Sequence, residues 1–478
     1  MARTAGIDVL MLPPPAGSAP ADDEVPNAAL AAIGWHDDAT QTLAAVSADA
    51  PAWVIIDHYA FDARWHRLVA RGCGARIAVI DDLADRELAG ELLVDQNLHA
   101  DHRLKYAGRW PAGRPLLGGP RHALLDASYA RMQPAAVHET VRSIGIFMGG
   151  TDPAGLTSVA LRACHEEAGF TGPVEVIASR AQPHLPELLA LAHRWPLTTV
   201  RCDLPSLAGF FAGHDLQIGA GGGASWERCR AGVPTLALIG AANQQEVIPA
   251  LAAQGAVATL AAGAEQSVPN VGRAVKALLD DAPRRRSLGA TSATLVDGLG
   301  CTRVAIALAL DRLQLRDARP ADAEPTFAWR NHADTRRFIR DPRPLELAAH
   351  RAWWMQTLEM PQRKLFIAHV GDRDVGVLRL DFSGTAAEVS IYVDPALPGL
   401  GLGPAMLAAL QRWVQQGAGR HVRLEAEIFA VNHASQKAFA RAGFVPQGDR
   451  WVWEPQPSDI SQPPEGSGNN GEFHVQDR

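Results

Sequence analysis

The sequence predicts two α/β lobes, each a parallel sheet wrapped by helices, followed by a smaller α+β domain. Three observations carry this. Across roughly the first 310 residues, short apolar runs alternate with longer helical patterns, the signature of βαβ units. From Leu313 onward the pattern changes to strictly alternating strands with helices packed beside them. The chain has 478 residues, enough for two to four domains at roughly 100–200 residues each.

The strand candidates of the first region are Trp53–Asp57, Arg76–Asp81, Glu91–Asp95, Ser143–Met148, Val174–Ala178, Leu216–Gly219 and Thr235–Ile239. Most are nearly continuous in Val, Ile and Leu, as strands covered on both faces should be. Several end in glycine or a polar residue, where ligand-facing loops of parallel sheets begin. The aperiodic stretch Arg131–Val141 joins two such blocks, giving lobes over 1–138 and 139–312, and Cys301–Leu313 reads as an amphipathic helix closing the second. A strand at 313 leads into a helix, and Leu365–Val370, Asp374–Asp381 and Glu388–Val393 alternate as half-buried strands of a domain over 313–455. From Gln456 to Arg478 there is almost nothing to bury, and disorder is expected.

Composition narrows the function. Lys and Arg against Asp and Glu give 45 − 52 = −7, with 20% charged and 47% apolar residues. This excludes general disorder and removes any compositional argument for nucleic acid. No run approaches the ~20 apolar residues of a membrane span. The apolar start is short and broken by Pro13-Pro14-Pro15, unlike a secretory signal. Cysteines 73, 164, 202, 229 and 301 form neither a disulfide framework nor a CxxC pair. The nearest metal-like spacing, His99-Ala-Asp-His102, reads as loop, so no metal is expected. The expectation is a cytoplasmic enzyme without nucleic-acid or membrane partners.

The sharpest feature is Ile218-Gly-Ala-Gly-Gly-Gly-Ala-Ser-Trp-Glu-Arg-Cys229, a strand, three consecutive glycines and a helix from about Ser225. Gly221, Gly222, Gly223 and Ser225 would offer backbone N–H groups and a helix N-terminus to a diphosphate. Glu227, placed in the first helical turn, would accept from a ribose diol. A simple tight turn explains the glycines equally well until a second such loop is counted. That loop is Ile144-Gly-Ile-Phe-Met-Gly-Gly-Thr-Asp-Pro153, with Gly149, Gly150 and Thr151 as contacts. Asp152 is better explained as a cap and Pro153 as the first helical residue. Asn243 and Gln244, after Thr235–Ile239, are placed to fix a uracil or sugar, though a surface helix start explains them almost as well.

Together with Asp57-His-Tyr, Ile80-Asp-Asp-Leu-Ala-Asp-Arg86, Asp95-Gln-Asn97 and Leu117-Gly-Gly-Pro120, these motifs resemble the UDP-sugar hydrolases of pseudaminic acid biosynthesis, over roughly residues 7–310. The resemblance implies two Rossmann-like lobes in a GT-B-like arrangement, similar to nucleotide-sugar glycosyltransferases. It also implies a reaction in which water attacks the anomeric carbon of UDP-2,4-diacetamido-2,4,6-trideoxy-β-L-altropyranose while UDP leaves. The family opens with a strand and a Gly-x-Gly-His-x-x-Arg loop whose histidine is the expected base. No such segment is present, so the first lobe reads as incomplete, and His58 is the substitute candidate. His122 is another histidine near a strand end; the family favours an aromatic residue there and an arginine at Asp126.

In the last region, Ser390-Ile-Tyr-Val-Asp-Pro-Ala-Leu-Pro-Gly-Leu-Gly-Leu-Gly-Pro-Ala-Met-Leu407 is strand, glycine turn and helix. Asn432-His-Ala-Ser-Gln-Lys-Ala-Phe-Ala-Arg-Ala-Gly-Phe444 follows as a helix ending in Gly-Phe. Together they resemble the GNAT family of acetyl-CoA-dependent N-acetyltransferases, over about residues 313–455. The resemblance implies acetyl-CoA as co-substrate, held by Tyr392, Val393, Leu400, Gly401, Leu402, Gly403, Asn432 and Ser435. Pro398 stands where Arg or Gln is usual, and Phe439 lies in the helix where many members carry a tyrosine acid. Glu388 is the candidate base, against a solvated strand edge as the plainer explanation. Trp353-Trp354 fits the core better than the acceptor pocket.

The combined expectation is an enzyme fusion. Its last domain acetylates the 4-amino group of a UDP-amino sugar, and its first region releases UDP from the product. The alternatives are an acetyltransferase carrying a catalytically impaired UDP-sugar-binding module, or a GNAT enzyme acting on a protein N-terminus.

Overall fold

The computed structural model describes residues 7–12, 25–31, 33–46, 49–339, 341–416 and 422–455. The chain divides into two compact units, 1–308 and 309–478. The tail expected to be disordered, 456–478, and the prolines at 13–15 lie outside the described residues.

The first unit holds two wholly parallel sheets. One is formed by β1 (Trp53–Ile56), β2 (Arg76–Ile80), β3 (Leu92–Asp95) and β4 (Leu116–Gly118), paired in that order. The other is formed by β5 (Ile144–Phe147), β6 (Val174–Ala178), β7 (Thr198–Cys202), β8 (Leu216–Ala220) and β9 (Thr235–Leu238). Its order is β7-β6-β5-β8-β9, so the winding reverses between β5 and β8. That reversal point is where open α/β sheets bind ligands, beyond the strands' carboxyl ends. The strands are apolar because helices cover both faces: Ile144, Ile146, Val176, Leu216, Ile218 and Leu236 are fully buried.

The stretch 131–141 is more than a linker. Ala135 N–H donates to Ala231 O at 2.7 Å, and the Arg230 guanidinium holds the carbonyls of Tyr129 and Met132. Further on, Arg285 Nη2 donates to the carbonyls of His138 and Glu139. The helix expected over Cys301–Leu313 runs from Gly300 to Leu308, followed by a single turn at Leu310–Arg312.

The second unit is one mixed sheet with helices. Its strands are β10 (Gln314–Asp317), β11 (Arg363–Val370), β12 (Arg373–Ser383), β13 (Ala386–Val393), β14 (Arg423–Glu427), β15 (Val445–Gln447) and β16 (Arg450–Trp453), in the order β10-β11-β12-β13-β14-β16-β15. Every pairing is antiparallel except β13 with β14. That parallel pairing runs only from Ala386↔Arg423 to Glu388↔Glu425, whereas β13 continues to Val393. The two strands therefore part after Glu388, leaving backbone groups of both available beyond it. Trp354, Leu365, Ile367 and Val377 pack the core beneath the helices Ala323–Asn331 and Leu347–Glu359. Among the described residues, no helix is long and apolar enough to cross a membrane.

Candidate functional site

At the end of β8 the chain passes through Gly219–Gly223 into a helix. Gly222 has φ +87°, which favours glycine, and the helix starts at Gly223, two residues before the expected Ser225. No side chain caps it, but two of the expected donors are engaged. Ser225 N–H donates to Gly222 O at 2.9 Å and Gly221 N–H to Leu238 O at 3.2 Å, so Gly223 and Ala224 are the helix N–H groups left to face an anion. Ser225 is buried and its Oγ accepts from Arg228 Nη2 at 3.2 Å. A Cβ on Gly221 would lie 2.8 Å from Gln244 Cγ, which accounts for the glycine there.

Two expectations are corrected in this loop. Gln244 does not point at a ligand: its Oε1 accepts from Gly221 N–H at 3.0 Å and Gly240 N–H at 2.8 Å, bracing two loops together. Asn243 precedes the helix Gln244–Ala253, is exposed, and makes no side-chain cap. Glu227 lies in the second helical turn rather than the first and is not a free carboxylate. Tyr129 Oη donates to its Oε1 at 2.8 Å, and burial pushes its pKa up. The other carboxylate oxygen is the one left for a hydroxyl.

The β5 loop lies beside it across the reversal point. Gly149 has φ +92° and, like Gly150, faces open space. Thr151 is exposed. Pro153 is not the first helical residue; the helix begins at Leu156. Asp152, at φ +38°, reaches forward instead, its carboxylate accepting from Leu156 N–H at 2.9 Å and Thr157 N–H at 2.8 Å. Capping is therefore what holds Asp152, and its buried carboxylate fixes the loop from below.

In the first sheet, His58 Nδ1 accepts from Ala60 N–H at 3.1 Å and its ring stacks on Phe61. One ring nitrogen is thus committed to the backbone. The acidic motifs after β2 and β3 form a hydrogen-bonded core. Arg86 pairs with Asp81, Lys105 Nζ with Asp95 at 2.7 Å, and Tyr59 Oη donates to Asp82 at 2.7 Å. Burial pushes Asp82 up. His122 is held by Gly118 O and lowered by burial, while Asp126 caps Ala127–Arg131 through Ser128 N–H. Among the described residues no group of His, Cys, Asp and Glu is arranged for a metal.

In the second unit Glu388 stands where β13 and β14 part. It is not on a sheet edge, because β12 and β14 flank its strand. Arg450 Nη1 on β16 donates to its Oε2 at 3.2 Å and lies 3.4 Å from Glu425 Oε2, so one guanidinium joins the carboxylates of both parting strands. Tyr392 and Val393 end β13; burial raises the Tyr392 phenol. Gly399 at φ +78° and Gly401 at φ +80° make the turn, with Leu400 and Leu402 buried as its floor. The helix Leu402–Gln416 opens there, its first N–H groups facing the turn. Gly403 lets Ala438 approach, since a Cβ would lie 3.3 Å away. Asn432 caps the helix His433–Arg441, accepting from Ser435 N–H at 3.1 Å. Phe439 is buried edge-on against Phe444. Trp354 is fully buried with Nε1 donating to Arg319 O, and Trp353 lies beneath Arg379 at 5.9 Å.

Residues 312–445 match the family model described as an acetyltransferase (GNAT) domain. No curated protein matches the chain. Among solved structures, a domain from Methanocaldococcus jannaschii is similar at 22% identity and a TM-score of 0.26, covering 30% of this chain and 96% of that one. Aminoglycoside acetyltransferase AAC(6')-Ib, solved with coenzyme A and kanamycin, is similar at 14% identity and a TM-score of 0.28, over 31% and 96%. Spermidine N-acetyltransferase from Vibrio cholerae, solved with CoA and spermine, is similar at 13% identity and a TM-score of 0.27, over 29% and 91%. With its glycine turn, its parting parallel strands and this family match, the segment 312–445 is a GNAT acetyltransferase domain.

Proposed function

We propose that the second unit transfers an acetyl group from acetyl-CoA to the amine of a UDP-amino sugar, and that the first unit is a UDP-sugar-binding module. The observation that carries the transfer half is the parting of β13 and β14 beyond Glu388, on the strand that leads into the glycine turn. The pyrophosphate lies over Leu400–Gly403, where helix N–H groups meet negative charge. The pantetheine arm runs in the slot between the strands and uses their unpaired backbone groups. At the thioester, the neutral amine forms the C–N bond and the C–S bond breaks. Glu388, oriented by Arg450, takes the proton from the nitrogen. The thiolate leaves and is protonated by a group that Phe439 does not supply.

The two glycine loops flanking the reversal point support the UDP half. Hydrolysis would add a demand for a base, and His58 has Nδ1 engaged and its ring stacked, so binding is the preferred reading over UDP release.

The test is a free-thiol assay on the full chain with acetyl-CoA. A UDP-4-amino-4,6-dideoxy sugar is expected to support turnover well above that of peptide N-termini. Turnover on peptides alone overturns the acceptor assignment. UDP released from the diacetamido sugar in the same preparation would restore the hydrolase.

A further inference from the structure

The buried arginines of the first unit differ in how their charge is met, and Arg230, 8% exposed, is held by the carbonyls of Tyr129 and Met132. Arg86, 5% exposed, pairs with Asp81 and Asp85, and Arg303, 1% exposed, pairs with Asp297. Arg285 is fully buried and is held by four backbone carbonyls. Arg228 is 2% exposed and has no carboxylate partner. Its Nη2 donates to Ala220 O and Ser225 Oγ, but Nε and Nη1 meet no acceptor among the described residues. Its nearest acid, Glu227, is engaged by Tyr129 and pushed by burial toward its neutral form. Removing a cation from water without a counter-charge costs several kcal/mol.

The place of this charge gives it meaning. Nη1 lies beneath the strand end, in the space a Cβ on Gly219 would need, and Nη2 grips Ala220 and Ser225. The guanidinium therefore sits directly under the glycine loop and the first turn of the uncapped helix Gly223–Ala231. The N–H groups of Gly223 and Ala224 above and the buried cation below act in the same direction on one spot. Burial alone holds Arg228 down to about 10, still charged at neutral pH.

We propose that Arg228 is the built-in counter-charge of a diphosphate site on loop 219–223, unmatched in the free protein and matched only when a nucleoside diphosphate binds. This rests on the UDP-binding reading above. Arg228 does not reach the ligand; it acts through the field in a region from which water is excluded. The second consequence is a coupling: the ligand relieves a strain that the free lobe carries.

The experiment compares full-length wild type, R228M and R228K by thermal melting and calorimetric titration with UDP and inorganic pyrophosphate. R228M is expected to melt no lower than wild type without ligand, and to bind UDP about tenfold or more weakly. R228K is expected to keep UDP affinity to within a few-fold. Pyrophosphate should follow the same order. A drop in the ligand-free melting temperature of R228M, or its failure to fold, overturns the proposal, because the arginine would then be a brace. So does R228M binding UDP as tightly as wild type, which leaves the UDP-binding reading standing. Wild type that binds neither UDP nor pyrophosphate removes the UDP-binding reading itself.

Discussion

Two turns in this molecule use the same backbone device on different foundations. Gly219–Gly223 and Gly399–Gly403 each leave a strand, use glycine at positive φ and open a helix. Beneath the first lies the buried charge of Arg228; beneath the second lie Leu400 and Leu402. The strand before the first, β8, is paired on both sides by β5 and β9, whereas β13 parts from β14. On the proposed reading, helix N–H groups alone serve where a slot between strands takes the rest of a long ligand, and a fixed charge supplements them where no slot exists.

Substitutions in each turn should separate these two cases. The largest effect is expected from G401V. At φ +80° a β-branched residue is strained, and its Cβ would stand 3.3 Å from Leu310 Cδ2. Acetyl-CoA-dependent turnover should fall about a hundredfold or more in kcat/KM, whereas G222V in the other turn should leave it unchanged and weaken UDP instead. E388Q should lower kcat by about 10²-fold with little change in KM for acetyl-CoA, read in the thiol assay. Q244A leaves the N–H groups of Gly221 and Gly240 without their acceptor. It should cost the first unit about 1–3 kcal/mol in denaturant unfolding and spare acetyl transfer.

A pH effect is expected from the first unit's core, and His350 of the second unit, also lowered by burial, adds to it in the same direction. Burial holds His66 down to about 3, whereas an unfolded histidine titrates near 6.5. Between those values the unfolded chain binds a proton that the folded chain does not. The stability present above pH 6.5 is therefore lost as pH falls, by up to ~1.4 kcal/mol per pH unit. Melting curves across pH 7 to 4 should show that fall, and H66Q should reduce its slope, leaving the part contributed by His122, His165 and His350. Y129F is the mildest change: removing the donor to Glu227 should cost less than about 1 kcal/mol and shift UDP affinity only a few-fold.

What could be read from the sequence follows burial. β5, β6, β8 and β9 announce themselves because their faces are covered and their residues are apolar apart from Glu175, Gln217 and Thr235. β7 escaped notice because it is an edge strand whose residues, Thr198 to Cys202, are alternately exposed. β4 escaped because Leu116–Gly118 is too short to show a period. Both glycine turns were legible from spacing alone. Their partners were not, since Tyr129 reaches Glu227 across 98 residues and Arg450 reaches Glu388 across 62. Nothing in the sequence marks Arg228; packing against β8 and Phe211 makes it a buried charge.

The tethering of residues 131–141 bears on movement. With Ala135 tied to Ala231, and Arg230 and Arg285 gripping carbonyls on either side, the connector between the sheets of the first unit is lashed to the lobe it introduces. A clamshell motion cannot pivot there without tearing out those tethers. If the first unit binds a nucleotide as proposed, it receives it in a jaw already set, and limited proteolysis should leave that crossing uncut with or without nucleotide.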